Sequence, residues 1–119
     1  KAAPAQDHFV AGARLPQQGK TAEAEKEYLL AIREKPGSYQ AHYNLGVVYS
    51  QTGRASEALA SYKKAAQLNP SFAPAQLALF KLYYFRFGMK NLARPYAQKY
   101  IQLEPNTKAA AEIKGWLKQ

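Results

Sequence analysis

Few side chains in this sequence have the types and spacing that catalysis or metal binding requires. His8 and His42 are 34 residues apart, and Asp7 is the only acid near them. A metal site would need further carboxylate or thiolate ligands, and the chain has no cysteine. The serines show no readable His–acid arrangement, and no glycine-rich phosphate loop is present. The residue types therefore predict neither an enzyme nor a bound metal or cofactor.

A second kind of chemistry is offered by the basic and aromatic residues of the carboxy-terminal half. Residues 60–119 hold ten Lys/Arg and two Asp/Glu, a net +8, whereas residues 1–59 hold seven and six, a net +1. This charge favours acidic partners or an anionic surface. Binding to single-stranded nucleic acid combines base stacking with phosphate contacts. It would use the cations and aromatic rings that alternate between residues 81 and 100. They are Lys81, Arg86, Lys90, Arg94 and Lys99, with Tyr83, Tyr84, Phe85, Phe87, Tyr96 and Tyr100.

Nucleic acid or another anionic surface is therefore the alternative class of partner. Many of these rings fall at helical spacing, however, which predicts that they belong to a core. A membrane-surface role would use the same basic face. The sequence shows no strongly amphipathic basic helix with exposed apolar residues to support that role.

The elements that position these residues are indicated by an internal repeat. Shifted by 34 residues, the chain matches itself at ten positions, and a third copy follows 35 residues later with Gly88, Ala93 and Pro105. A fixed period of this length predicts stacked two-helix units. The ten identities are Gln6/Gln40, His8/His42, Gly12/Gly46, Gln17/Gln51, Gly19/Gly53, Glu23/Glu57, Ala24/Ala58, Tyr28/Tyr62, Ala31/Ala65 and Pro36/Pro70.

The middle copy shows the local pattern most clearly. Gly46 lies inside the first helical stretch, where glycine costs about 1 kcal/mol relative to alanine and so requires a packing reason. We expect it to meet Ala58 where the two helices cross. Gly53 provides a left-handed turn, and Ser56 is the predicted cap of a second helix that ends before Pro70.

This pattern resembles the tetratricopeptide repeat (TPR) family. The resemblance rests on His42, Leu45, Gly46, Tyr49, Ala58, Tyr62 and Pro70, with His where the family usually has Trp. It implies an all-α, right-handed superhelical solenoid of three helix-turn-helix repeats (about 5–38, 39–72 and 73–106) in a single domain, 5–119. The third copy carries one extra residue before Gly88, which predicts a longer first helix. The stripe of Ala110, Ile113 and Leu117, bordered by Trp116, predicts a seventh helix at about 107–118 that caps the stack.

The resemblance also implies a binding surface. In this family the first helix of each repeat lines a concave groove that commonly holds peptides, so the chain is expected to be a non-catalytic scaffold or adaptor. An aromatic, amide-rich floor and a basic carboxy-terminal half favour a partner segment with apolar and acidic residues. The alternative is that these side chains only complete packing between repeats. The groove positions are Phe9, Ala13, Gln17, Gln40, Tyr43, Asn44, Val47, Gln51, Leu77, Lys81 and Tyr84.

Some family members clamp the carboxy-terminal carboxylate of a partner with five Lys, Asn and Arg residues. Only Asn44 matches that set here, because the other four positions hold Phe9, Ala13, Pro74 and Ala78. We therefore do not expect this chain to bind a chaperone tail in that way.

The ends of the sequence give weaker signals. The chain starts at Lys1 without an initiator Met, which suggests a processed or excised amino terminus. No apolar run approaches the roughly 18 residues that span a bilayer. We expect a soluble protein, cytoplasmic or exported after removal of an amino-terminal segment, and a monomer or weak oligomer.

Overall fold

The computed structural model describes residues 21–118, and every regular element in that range is helical. The predicted all-α class is confirmed. None of the helices described is long and apolar enough to cross a membrane. The chain divides into two compact units, the first ending at Asn69 and the second starting at Pro70. The helices are α1 (Thr21–Glu34), α2 (Tyr39–Gln51), α3 (Ala55–Leu68), α4 (Ala73–Lys81), a π-helical segment (Leu82–Arg86), α5 (Lys90–Leu103) and α6 (Lys108–Leu117).

The first unit is built on small residues that let helices approach closely. Ala41 and Ala58 are fully buried, and α2 packs against both α1 and α3. The close neighbour of Gly46 is a residue that the sequence prediction did not name. The three atoms nearest to a Cβ added at Gly46 all belong to the ring of Tyr62, the closest at 2.7 Å. Glycine is required here because the flat face of a buried aromatic ring occupies the space of a side chain.

The turns between paired helices use glycine in the left-handed region. Gly53 has φ +76° and Gly88 has φ +66°, and these are the residues that the repeat predicted for the turns. The predicted cap at Ser56 is wrong. Helix α3 begins at Ala55, and Arg54 precedes it without a side-chain capping bond.

The extra residue of the third copy is accommodated as a π-helical segment. The helix that begins at Ala73 stays α-helical to Lys81 and then widens over Leu82–Arg86. The N–H of Phe87 donates to the carbonyl of Leu82, five residues back, at 2.9 Å. A single added residue inside a helix is typically absorbed in this way. The first helix of this copy is therefore longer, as expected, and it still ends at a left-handed glycine.

The last helix is tied to the one before it by its cap. Thr107 accepts a hydrogen bond from the N–H of Ala110 at 3.1 Å, and the hydroxyls of Tyr100 and Thr107 are 3.1 Å apart. Ala110 and Ile113 are completely buried. The ring of Trp116 stacks on that of Phe80 with centroids 5.8 Å apart. Helix α6 thus covers apolar surface of the second unit, as a capping helix would.

Candidate functional site

Helix α2 presents five of the predicted groove residues on one accessible side. We call these five the α2 face, and they are Gln40, Tyr43, Asn44, Val47 and Gln51. Gln40 and Gln51 are exposed, whereas Tyr43, Asn44 and Val47 are half-buried.

The opposite side of α2 is what fixes this orientation. Ala41, Leu45 and Val48 lie at helical spacing and are buried in the unit. Ser38 caps the helix by accepting a hydrogen bond from the N–H of Ala41 at 3.3 Å. The packed side and the cap therefore determine which residues face outward.

Tyr43 is supported from below by a second tyrosine. Its ring centroid lies 5.5 Å from that of Tyr62, with the planes tilted by 45°. Burial raises the pKa of both hydroxyls, and the neighbouring Tyr43 raises that of Tyr62 further. The hydroxyl of Tyr62 also forms a hydrogen bond with Ser50. Both tyrosines of the α2 face and its support are therefore uncharged at neutral pH. The Tyr43 ring is held by packing and is partly exposed.

The histidine of this helix is part of the framework. Nε2 of His42 lies 3.1 Å from the carbonyl oxygen of Pro36, and Nε2 of Gln76 donates to the carbonyl of Pro70 at the same distance. The two contacts are one repeat apart. Both side chains therefore hold the proline that closes the preceding repeat. Burial is the main cause that lowers the pKa of His42, and nearby Lys64 also lowers it.

No group of three His, Asp or Glu side chains within residues 21–118 is placed to hold a metal ion. His8 and Asp7 lie outside the described residues.

Arg54 joins α1, α2 and α3 at the edge of this site. Its guanidinium donates to both carboxylate oxygens of Glu57, at 2.9 and 2.6 Å, and to Glu25 at 2.7 Å. It also lies 4.4 Å from the centroid of the Tyr49 ring. Sequence reasoning missed this cluster because Glu25 is distant in the chain. The charge of Arg54 is paired within the unit and is not available to a partner.

The second unit contains three further predicted groove residues. Leu77 is half-buried, Lys81 is exposed and Tyr84 is half-buried. The Tyr84 ring lies 5.2 Å from Phe80 and 6.1 Å from Trp116, and Nζ of Lys90 is 5.3 Å from its centroid. Tyr84 thus packs against the last helix. The remaining predicted positions, Phe9, Ala13 and Gln17, lie outside the described residues.

The rings proposed for base stacking are largely occupied. Tyr83 and Tyr100 are buried, and Tyr83 stacks on Tyr96 with centroids 5.7 Å apart and planes within 13°. Phe87 also lies against Tyr83, at 6.4 Å. Base stacking needs an open ring face. These contacts therefore weaken the case for single-stranded nucleic acid, and Phe85 is the ring of this segment that remains exposed.

Comparison with known proteins supports the helical repeat. Residues 39–72 match the tetratricopeptide repeat family model. The first TPR of Spaghetti (RPAP3), solved with the HSP90 peptide SRMEEVD, is 21% identical with a TM-score of 0.86, covering 97% of this chain and 94% of its own. The second TPR of that protein, solved with the same peptide, has 21% identity and a TM-score of 0.79, with coverages of 84% and 92%.

A crystal structure of MamA is also similar. It is 24% identical with a TM-score of 0.82 over 86% of this chain, which spans 59% of the MamA chain. No curated protein sequence matches significantly. Because these identities are 24% or lower, the solved structures support only the fold of this chain. The family match supports the sequence assignment of the middle repeat. Residues 39–72 thus resemble a tetratricopeptide repeat in sequence, and the chain has the fold of a tetratricopeptide-repeat domain.

Proposed function

We propose that this chain is a non-catalytic interaction module that holds an extended segment of a partner protein on the α2 face. The observation that carries the proposal is the half-open Tyr43 ring, held on Tyr62 and bordered by the amides of Gln40, Asn44 and Gln51. We propose the counterpart positions in the neighbouring repeats as further partner contacts. They are Phe9, Ala13 and Gln17 in the first repeat and Leu77, Lys81 and Tyr84 in the third.

The chemistry of the α2 face suits an extended chain. An amide side chain both donates and accepts hydrogen bonds, so Asn44 can pair with both the N–H and the C=O of a peptide backbone. A tyrosine that is already held by packing loses little conformational freedom when a partner covers it. Anchors of this kind commonly dominate binding energy. We therefore assign Tyr43 the anchoring role and the amides the alignment of the segment.

The partner we propose carries both apolar and acidic residues. Apolar side chains would contact Phe9, Tyr43 and Leu77, and acidic ones would lie toward Lys81. The peptide in the similar TPR structures, SRMEEVD, has three acidic residues and ends in Asp. This chain retains only Asn44 of the terminal-carboxylate clamp. We therefore propose recognition of an internal segment whose carboxy-terminal carboxylate is dispensable.

The test uses a random peptide library selected on the whole chain. Sequences that bind wild type and not the Tyr43→Ala/Asn44→Ala variant identify ligands of the α2 face, and Gln67→Ala, at an exposed position of α3, is the matched control. For a selected peptide, Tyr43→Ala should raise the dissociation rate about tenfold or more. Lys81→Ala should slow association by a few-fold at most, because an exposed charge contributes about 0–1 kcal/mol.

Two outcomes would contradict the proposal. Peptides that bind the double variant as well as wild type would place the site elsewhere. If Lys81→Ala abolished binding and Tyr43→Ala left it unchanged, an electrostatic surface would replace the anchored groove. Amidating the carboxy terminus of the peptide should leave its affinity unchanged, because no complete carboxylate clamp is present.

A further inference from the structure

The turn between the π-helical segment and α5 exposes an unusual amount of apolar surface. Five large apolar side chains are exposed in residues 21–118, and three of them lie within residues 85–92. Phe85 is 57% exposed, Met89 48% and Leu92 53%. We call residues 85–92 the apolar turn. Its exposed side chains are concentrated in one place, unlike the scattered single residues that are ordinary on protein surfaces.

The equivalent turn of the middle repeat shows that the backbone does not require these residues. With the shift of 35, Phe85, Met89 and Leu92 correspond to Ser50, Arg54 and Glu57. Both turns are closed by a left-handed glycine, at φ +66° and φ +76°. In the middle repeat the same positions are polar, and the pair of Arg54 and Glu57 is joined at 2.6 Å. The apolar residues of the third repeat therefore need an explanation other than folding of the turn.

The charged side chains in and next to the apolar turn in the sequence are all positive. Arg86, Lys90 and Arg94 lie in or next to it, and the sequence contains no Asp or Glu from residue 58 to residue 103. These three cations form no ion pair within the described residues, and Nζ of Lys90 lies over the ring of Tyr84. A cluster of exposed apolar side chains flanked by unpaired cations is complementary to a surface that is both apolar and anionic.

We propose that the apolar turn docks on the surface of a bilayer that contains anionic lipid. Phe85, Met89 and Leu92 would enter the boundary between headgroups and acyl chains, while Arg86, Lys90 and Arg94 contact lipid phosphates. The position of the residues favours a bilayer over an acidic protein. They stand on a turn at the end of two packed helices, and a bilayer accepts such side chains without a shaped pocket, whereas protein anchors fill pockets in the partner. This surface shares no residue with the α2 face.

The chain contains its own reporter for this docking. Trp116 is the only tryptophan, and its ring centroid lies 5.1 Å from that of Phe85. Insertion of Phe85 therefore brings the indole close to the acyl chains. Phosphatidylcholine vesicles with brominated acyl chains should quench Trp116 emission when phosphatidylglycerol is included, and should not quench it when that lipid is absent.

Sedimentation with the same vesicles measures affinity. The main variant copies the middle repeat, Phe85→Ser/Met89→Arg/Leu92→Glu, so apolar surface is lost while the added cation and anion leave net charge unchanged. We expect binding to anionic vesicles to fall about tenfold or more. The double variant Met89→Arg/Leu92→Glu leaves the contact between Phe85 and Trp116 intact. Its affinity for anionic vesicles should also fall, and this result does not depend on the stability of the triple variant.

The charge variant Arg86→Gln/Lys90→Gln/Arg94→Gln should also bind anionic vesicles at least tenfold more weakly. Raised salt should weaken binding of the wild-type chain. Failure of the wild-type chain to bind anionic vesicles at low salt would overturn the proposal and make an acidic protein segment the better occupant. Wild-type affinity in both apolar variants would also overturn it, because binding would then come from net charge alone. Neither result bears on peptide binding at the α2 face.

Discussion

Gly46→Ala is the substitution whose effect can be worked out most fully from the structure. A methyl group at this position would lie 2.7 Å from Cε1 and 2.8 Å from Cδ1 of Tyr62, well inside van der Waals contact. The ring cannot easily move away, because it is buried, packs against Tyr43 and is bonded to Ser50 through its hydroxyl. The added carbon must therefore strain the crossing of α2 and α3.

Two opposing effects decide whether Gly46→Ala stabilises or destabilises the folded protein. Replacing glycine by alanine inside a helix contributes about 1 kcal/mol of stability, whereas overpacking a tight core costs about 1–3 kcal/mol. We expect a net loss on the order of 1 kcal/mol. Gly115→Ala is the matched control, because Gly115 is also helical and a methyl group added there would meet no neighbouring atom within 4 Å. That change should stabilise the protein by up to roughly 1 kcal/mol.

Urea unfolding followed by far-ultraviolet circular dichroism measures both changes. A double-mutant cycle with Tyr62→Leu tests the mechanism, since removing the ring should convert Gly46→Ala from destabilising to neutral or stabilising. The reasoning is refuted if Gly46→Ala is as stable as wild type while Gly115→Ala gains stability as expected. It is also refuted if the cost of Gly46→Ala persists unchanged in the Tyr62→Leu background.

The remaining predictions concern the framework. Because the pKa of His42 is lowered in the folded protein, its contribution to stability is complete above the unfolded pKa of about 6.5 and is lost as pH falls below it. His42→Gln, which copies Gln76, should keep the proline contact and reduce the fall in melting temperature between pH 7.5 and 5.5; an equal fall in both proteins would contradict this. Truncation after Pro105 should uncover buried Phe80 and cause unfolding or aggregation, and Trp116 in the intact chain should emit at shorter wavelength than solvated indole. Solvent-like emission from the folded chain would contradict the capping role.

The sequence predicted the helical units because periodicity is a local property. Small residues, an aromatic and a closing proline recur at one spacing, and such a stripe can be buried only by pairing helices. The glycines of the turns could be predicted for the same reason, since a left-handed helix end favours glycine whatever lies around it. The position of α2 in the pattern also predicted which of its residues stay accessible, because Ala41, Leu45 and Val48 occupy the packed side.

Only the tertiary structure decided which residues meet across helices. The ring of Tyr62 lies against Gly46, and Arg54 reaches Glu25, because contacts between helices depend on how far each is rotated and shifted. The extra residue of the third copy also changes which side chains are buried, and the sequence alone does not show how. One extra position turns the following residues by about 100°, so spacing could not show that Tyr83 is buried while Phe85 is exposed. Both are aromatic and two residues apart, and their different surroundings arise from the phase of the helix that carries them.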